Sequence, residues 1–166
     1  VGLAVGPDGC LYIASRQCCL FGSTGLIRRV DTDGIITTVA GTGSFCTPPA
    51  CGDDGPATRA PILAPRGLAV GPDNTVYVSE PVAHWIRKFG PDGIIHRVAG
   101  TGVAGFSGDG GPAHLARLNF PSSLAVGPDG AVYIADSING RIRRIWTDGI
   151  ITTVAGTGNP AGALGD

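Results

Sequence analysis

The 166-residue chain contains no methionine, few aromatic residues (6%) and few charged residues (15%). Its formal net charge is −1, so no global field attracts nucleic acid or an anionic membrane. No apolar run approaches the roughly 20 residues of a membrane-spanning helix. The short motifs of P-loop, G-x-S-x-G and H-E-x-x-H enzymes are also missing. We therefore predict neither a nucleic-acid partner nor membrane insertion, and the sequence offers no catalytic residue and no cofactor.

Glycine, in contrast, is abundant, with 28 residues that recur at fixed points of three copies of one pattern. Each copy starts with GLAVGPDG, GLAVGPDN or SLAVGPDG, at residues 2, 67 and 123. Each then continues to IITTVAGTG or IIHRVAGTG, at residues 35, 94 and 150. This recurrence predicts stacked repeats, with boundaries at about 1–53, 54–109 and 110–166.

Each repeat is predicted to form four short antiparallel strands. The second repeat reads LAV, a GPDN turn, TVYVSE, WIRKF, a GPDG turn and IIHRVA, which alternate β-formers with turn residues. The first repeat carries about six extra residues around positions 17–25, and no segment predicts a long helix. Four strands per repeat indicate an all-β propeller, of which this chain supplies three blades. Six apolar positions of the second repeat should pack between blades: Leu68, Val70, Val76, Val78, Ile86 and Val98.

The strings GLAVGPDNTVYVSE…WIRKF and SLAVGPDGAVYIADSINGRIRRI resemble NHL-repeat β-propellers. The joining segment GTGVAGFSGDGGPAHLARLNFPSSLAV is similar to the long loop between blades in bacterial NHL proteins and in the NHL region of teneurin- and Rhs-type surface proteins. The resemblance covers nearly the whole chain. It implies half of a six-bladed ring, but it implies no single activity, because the family includes binding modules, structural sections and a metal-dependent lyase.

Five cysteines all lie in the first repeat or in the loop that follows it: Cys10, Cys18, Cys19, Cys46 and Cys51. Cys46 and Cys51 flank Thr-Pro-Pro-Ala in one short loop, so we predict a disulfide; zinc is less favoured because no histidine is near in sequence. The pairing of Cys10, Cys18 and Cys19 stays open. A disulfide indicates an oxidising compartment, either extracellular space or the cell envelope.

Acidic and basic residues recur at matching positions of two repeats. Glu80 and Arg87 in the second repeat correspond to Asp136 and Arg143 in the third. The first repeat has Ser15 at the acidic position. Because catalytic residues are seldom copied into every blade, we predict structural ion pairs within each blade rather than a carboxylate site in the channel.

The three histidines, His84, His96 and His114, occupy non-equivalent positions in their repeats. A metal ring would need convergent histidines from several blades, so no metal site is predicted. His84 and Trp85 lie at the turn between two predicted strands, and Leu20 and Phe21 lie among the extra residues of the first repeat. We predict that these four residues belong to rim loops that contact a partner.

The most consistent function is a non-enzymatic propeller that presents rim loops to a protein or glycan partner, or that forms a rigid section of a larger extracellular protein. The alternative is a metal-dependent lyase or hydrolase with its site in the channel. The sequence starts inside a repeat, so we expect it to be part of a longer chain. Three blades form an open arc, which would be closed by the rest of that chain or by self-association as a homodimer.

Overall fold

The computed structural model describes residues 2–19, 22–48 and 51–158, with the side chains of residues 17–19 and 22–23 excepted. This part of the chain forms three five-stranded antiparallel sheets, which we call blades 1, 2 and 3. The all-β propeller class is therefore confirmed. No helix in the described ranges has the length and hydropathy needed to cross a membrane.

Four strands of blade 1 follow one another as a meander, and a fifth short strand joins from the next loop. They are β1 (Gly2–Val5), β2 (Leu11–Cys19), β3 (Gly22–Val30) and β4 (Ile36–Ala40), with β6 (Ile62–Leu63) paired to β3. The extra residues of the first repeat lengthen β2 and β3 to nine residues each, so they extend one hairpin beyond the body of the blade.

Blades 2 and 3 share one plan, in which a two-residue strand from the preceding loop pairs with the outermost strand. Blade 2 contains β5 (Gly55–Pro56), β7 (Leu68–Val70), β8 (Val76–Glu80), β9 (Trp85–Phe89) and β10 (Ile94–Ala99). Blade 3 contains β11 (Gly111–Pro112), β12 (Pro121–Val126), β13 (Val132–Asp136), β14 (Arg141–Ile145) and β15 (Ile150–Ala155). The only helical segments in the described ranges are 3-10 turns at Ala57–Arg59, Pro81–Ala83 and Ala113–Leu115.

The expectation of four strands per blade was incomplete, because each sheet has a fifth strand. These fifth strands, β5, β6 and β11, contain only two residues each. Such short strands show no alternating pattern in the sequence. They exist because the loop between blades folds back along the sheet and its backbone groups find partners there, as when Gly55 pairs with Ile95.

The two ends of the sheets are chemically different. At one end, the turn end, each blade has two tight turns of the GPDG kind, closed by bonds such as Gly93 N–H to Gly90 O at 3.0 Å. The last turn residue has positive φ, for example 71° at Gly93 and 63° at Asn74, which glycine and asparagine tolerate. At the other end, the loop end, the second strand connects to the third and the long loops between blades begin.

The blades pack face to face through apolar residues. The core between blades 1 and 2 contains Tyr12 and Ile27 on one side and Leu68, Val76 and Val78 on the other, with Val70 packed against it. The core between blades 2 and 3 contains Ile86 and Leu118, with Val98 packed against it. All six predicted positions therefore lie between blades, as a repeat scaffold requires.

The innermost strands approach each other very closely. A Cβ placed on Gly67, at the start of the inner strand of blade 2, would lie 2.2 Å from the carbonyl oxygen of Ser122 in blade 3. Gly2 stands in the same relation to Arg66 O, also at 2.2 Å. Glycine at this repeat position therefore allows neighbouring blades to converge near the propeller axis.

Candidate functional site

A fully buried ion pair lies in blade 2, at the point where β8 and β9 face each other. Glu80 Oε1 is 3.3 Å from Arg87 Nη1, and both side chains are inaccessible to solvent. The second oxygen of Glu80 accepts a 2.6 Å hydrogen bond from the Leu63 N–H. Burial raises the pKa of the Glu80 carboxyl, while Arg87 and the Leu63 N–H oppose that rise. The predicted pair is thus present, and it also binds the loop that enters the blade.

Arg87 joins several segments through its remaining donors. Its Nη1 donates to Pro61 O at 2.8 Å, its Nη2 donates to Cys51 O at 2.9 Å, and its Nε lies 2.9 Å from the Asp53 carboxylate. The Nε contact with Asp53 is an ion pair without hydrogen-bond geometry, whereas the two terminal nitrogens donate to the carbonyl oxygens. The loop between blades 1 and 2 is therefore anchored on one arginine.

Blade 3 repeats this cluster at the same sequence offsets. Arg143 pairs with buried Asp136 at 3.4 Å and with Asp109 at 2.7 Å. It also reaches the carbonyl oxygens of Ser107 at 3.1 Å and Arg117 at 3.5 Å. Asp136 in turn accepts from the Asn119 N–H at 2.7 Å. Two copies with the same partners show that the arrangement belongs to the repeat, and it holds the loop end in place.

Sequence reasoning missed the roles of Asp53 and Asp109. Both stand in glycine-rich segments between repeats, where the local sequence indicates only turns. The available signal was the spacing: Arg87 follows Asp53, and Arg143 follows Asp109, by the same 34 residues. Recurrence at a fixed distance across a loop indicates a contact made in every blade.

The predicted disulfide between Cys46 and Cys51 is present. Cys51 lies in a small buried cluster with Leu63, Ala83 and Trp85, against which Cys46 packs. Cys10 is a buried free thiol. The side chains of Cys18 and Cys19 lie outside the described residues, so their pairing stays open.

Of the four predicted rim residues, the structure describes two. His84 ends the Pro81–Ala83 turn at the loop end, with left-handed φ of 54°, and its Nδ1 accepts a 3.2 Å hydrogen bond from the Phe120 N–H. Burial lowers the pKa of His84, and Asp136 partly opposes that shift. Trp85 is 0% exposed, which contradicts its assignment to an exposed rim. Leu20 and Phe21 lie outside the described residues.

Trp85 is buried where Cys51 and Leu63, from the segment between blades 1 and 2, pack against it. Its ring also carries two guanidinium groups, with Arg97 5.5 Å and Arg87 5.8 Å from the ring centroid. From the sequence alone, a tryptophan directly after a turn is expected to be exposed. It is buried here because the segment between blades 1 and 2, which is distant in sequence, packs against it.

The loop end nevertheless presents apolar side chains to solvent. Val82 and Ile138 stand at equivalent turns between the second and third strands of blades 2 and 3, and Phe45 and Val103 follow the last strands of blades 1 and 2. Their exposed fractions are 50% and 62% for the first two and 53% for each of the others. Exposed apolar groups also occur elsewhere, as at Ile35 and Leu115, but these four are carried by the loops of this end, where they offer an apolar contact surface.

The histidines are not brought together. His84 lies at the loop end, His96 contacts Asp54 at 2.7 Å, and His114 lies in the Ala113–Leu115 turn near the turn end. Within residues 2–19, 22–48 and 51–158, no group of three or more His, Cys, Asp and Glu side chains has the proximity needed to hold a metal ion.

Three stacked antiparallel blades, each with an LAVGPDG or LAVGPDN inner hairpin, and a buried arginine that recurs in blades 2 and 3 define an NHL-type β-propeller. The profile of the family described as "Teneurin NHL domain" matches residues 31–105 and 101–146. Teneurin-m of Drosophila melanogaster is 33% identical over 174 residues, and Teneurin-3 of Danio rerio is 34% identical over 172 residues. The chain belongs to the teneurin NHL domain family.

The matched region covers 98% of this chain and 6% of Teneurin-m, and 93% of this chain and 6% of Teneurin-3. Among solved structures, a structural-genomics protein from Bacteroides thetaiotaomicron superposes with a TM-score of 0.62 at 18% identity, over 92% of this chain and 47% of that one. A gluconolactonase from Xanthomonas campestris gives 0.58 at 18% identity, over 93% and 46%. These structural likenesses show the propeller fold.

Proposed function

We propose that this chain is a non-enzymatic propeller section of a larger extracellular protein and that its loop end binds a protein partner. The observation that carries the proposal is the set of exposed apolar residues at that end, Phe45, Val82, Val103 and Ile138. Buried Arg87 and Arg143 bind the loops that carry these residues. The surface is therefore held in one conformation in the absence of a partner. Such preorganisation lowers the entropic cost of binding.

Two observations support an extracellular location. The Cys46–Cys51 disulfide is a bond that persists in oxidising compartments. The family is that of the teneurin NHL domains, whose resemblance to this sequence implies a surface protein.

The proposal is tested by binding of the protein to cells that display its partner. We expect replacement of Phe45, Val82, Val103 and Ile138 by serine to reduce binding at least tenfold while thermal stability changes little. Leu115→Ser provides a matched control, since Leu115 is equally apolar and is 62% exposed near the turn end. Unchanged binding by the fourfold variant, or equal loss in the Leu115 variant, would contradict the proposal.

The alternative, a metal-dependent lyase or hydrolase with a site in the channel, has no specific observation in its favour. The gluconolactonase likeness, at 18% identity, extends to the fold alone. Elemental analysis of protein purified without added metal or chelator tests it directly, and stoichiometric zinc, calcium or iron would revive this alternative.

A further inference from the structure

A groove of about 460 Å³ opens between blades 2 and 3 at the turn end, opposite the proposed partner surface. Tyr77, Lys88, His114 and Trp146 are among the residues that line it. The repeat places a second groove of about 460 Å³ between blades 1 and 2. The second groove has Tyr12, Arg29, Thr58 and Gly90 at the corresponding positions. Side chains that are the same in both grooves reflect the repeat, whereas side chains found in one groove only can give that groove a function of its own.

In the groove between blades 1 and 2, the tyrosine and the arginine contact neighbouring residues of blade 1. The Tyr12 hydroxyl donates to Asp8 Oδ2 at 3.4 Å. Arg29 Nη2 donates to Cys10 Sγ at 3.1 Å and lies 3.9 Å from Asp8. The tyrosine hydroxyl and the Arg29 Nη2 of this groove are therefore already engaged, although Arg29 Nε and Asn74 Oδ1 have no hydrogen-bond partner in the described residues.

In the groove between blades 2 and 3, Thr75 occupies the repeat position of Cys10, and this change releases the tyrosine. Both oxygens of Asp73, the counterpart of Asp8, are bound by Thr75, at 3.0 Å from its N–H and 2.8 Å from its hydroxyl. The Tyr77 hydroxyl consequently has no hydrogen-bond partner in the described part of the chain. Burial and the nearby Asp73 charge raise the pKa of Tyr77, so the hydroxyl keeps its proton.

Two nitrogen groups in the same groove are also unused. Neither the Lys88 ammonium nor the His114 ring forms a hydrogen bond or ion pair within the described ranges. Arg97, which also borders the groove, is directed to Asp53 at 3.8 Å and to the Trp85 ring. Hydrogen bonds and, to a smaller extent, the Lys88 charge lower the pKa of Asp73, which lines the same groove. Lys88 nevertheless forms no direct ion pair in the described part of the chain, so it is the cation available to a ligand, with His114 as a second donor.

Trp146 supplies an aromatic wall where the other groove has only Gly90. Its Nε1 donates to Thr152 Oγ1 at 3.1 Å, and the Arg144 guanidinium lies 3.4 Å from the ring centroid. The ring is therefore fixed by contacts on one side, yet the residue remains 42% exposed. A fixed, exposed indole offers an apolar plane of the size of one pyranose ring.

We propose that the groove between blades 2 and 3 binds a carboxylated sugar, a uronic acid residue of an acidic saccharide. Lys88 and His114 hold the carboxylate, the Tyr77 hydroxyl binds a ring hydroxyl, and the apolar face of the sugar lies on Trp146. Charge-assisted hydrogen bonds provide the selectivity for an acid over a neutral sugar. The volume lies within the range of about 300–1,000 Å³ typical of small-molecule pockets.

Ligand-observed saturation-transfer NMR on the intact protein, titrated with glucuronate, tests the proposal. We expect binding that weakens at least tenfold in Lys88→Gln and in Trp146→Gly, the latter installing the residue of the other groove. His114→Thr, which installs the counterpart Thr58, should weaken binding severalfold. Methyl glucoside should bind at least tenfold more weakly than glucuronate, and acetate should compete only at much higher concentration.

Arg29→Gln removes the corresponding cation of the other groove and serves as the matched control, with no expected change. Absence of glucuronate binding would overturn the proposal, as would equal weakening by Arg29→Gln. Equal affinity for methyl glucoside would overturn the role of the carboxylate. Equal affinity for acetate would overturn the role of the sugar ring and leave only a simple anion site.

Discussion

At the scale of single residues, the buried arginines are held by carboxylates that differ in exposure. Arg143 is inaccessible to solvent and depends on two carboxylates that differ in exposure: Asp136 is fully buried, whereas the Asp109 side chain is 39% exposed. Removing one partner of a buried pair leaves an uncompensated charge, while removing an exposed partner loses a screened interaction. The two aspartates should therefore respond very differently to substitution.

We expect Asp136→Ala to lower the free energy of unfolding by about 3–5 kcal/mol, as for other broken buried pairs. Asp109→Ala should lower it by about 1 kcal/mol or less, because the site is partly solvated. Urea denaturation of both variants provides the measurement. The interpretation is wrong if Asp136→Ala is as stable as Asp109→Ala, and partner binding by refolded Asp136→Ala should be unchanged if the residue is purely structural.

His84 should make stability depend on pH in the mildly acidic range. Burial lowers its pKa below the ordinary value of 6.5, so the unfolded chain takes up the proton first as pH falls. The stabilisation from the neutral ring, which accepts the Phe120 N–H, is complete above pH 6.5 and declines below it. The free energy of unfolding should therefore fall as the pH is lowered from 7.5 to 5.5.

The comparison variant is His84→Asn, because asparagine tolerates the positive φ at this position and keeps an acceptor oxygen. Thermal unfolding at several pH values should show a smaller decline for the variant than for the parent. Parallel pH profiles for the two proteins would show that another group is responsible.

At the scale of elements, blade 3 forms the equivalent loop contact without a disulfide. The contribution of the disulfide to the stability of blade 2 can therefore be measured separately. Cys51 O and Ser107 O occupy the same place against Arg87 and Arg143, yet only the first belongs to a covalently closed loop. The loop closed by the Cys46–Cys51 bond is short, so chain-entropy arguments give about 2 kcal/mol of stabilisation.

We expect Cys46→Ala combined with Cys51→Ser to lower the free energy of unfolding by about 2 kcal/mol. The carbonyl of residue 51 still accepts from Arg87, so the fold should persist and Trp85 should become more accessible to fluorescence quenchers. Reduction of the parent protein should reproduce this change. A variant as stable as the parent in oxidised form would show that the loop is already fixed by its hydrogen bonds.

The elements that could be predicted are those encoded within a few residues. The inner hairpins, the GPDG turns and the Glu80–Arg87 pair all follow from local alternation or from recurrence at a short offset. The two-residue strands, the Asp53 contact and the burial of Trp85 depend on a loop that returns to its blade from 34 or more residues away. The local sequence does not reveal the course of this loop. Only the recurrence of the same residues at the same spacing in two repeats indicates it.

At the scale of the whole molecule, the outward faces of blades 1 and 3 carry residues of the kind that pack between blades. Leu3 and Val5 on the outward face of blade 1 are 62% and 68% exposed, although their counterpart Leu68 is buried against blade 1. On the outward face of blade 3, Ile142 and Val154 are also exposed, whereas Ile86, the counterpart of Ile142, is buried against blade 3. Each outward face is therefore suited to meet a further blade.

The two outward faces can pack against each other as neighbouring blades do. The outward face of blade 1 corresponds to the side of blade 2 that packs on blade 1, and the outward face of blade 3 corresponds to the side of blade 2 that packs on blade 3. Covering them recovers about 25 cal/mol per Å² of apolar surface, which favours closure. The three blades cover 47% and 46% of two matched solved structures, which are thus about twice as long as these three blades. We propose that the remaining blades come from the rest of a longer chain or from a second copy.

The isolated 166-residue piece should accordingly form a dimer in multi-angle light scattering, with blade 3 of each copy against blade 1 of the other. Leu3→Asp combined with Val5→Asp places charges on one of the two faces and should shift the piece towards monomer and lower its stability. Leu115→Asp, an equally exposed position in the Ala113–Leu115 turn rather than on an outward blade face, should leave the dimer intact. A compact, stable monomer for the unaltered piece would show that the arc needs no closure, and the inference of six blades would then fall.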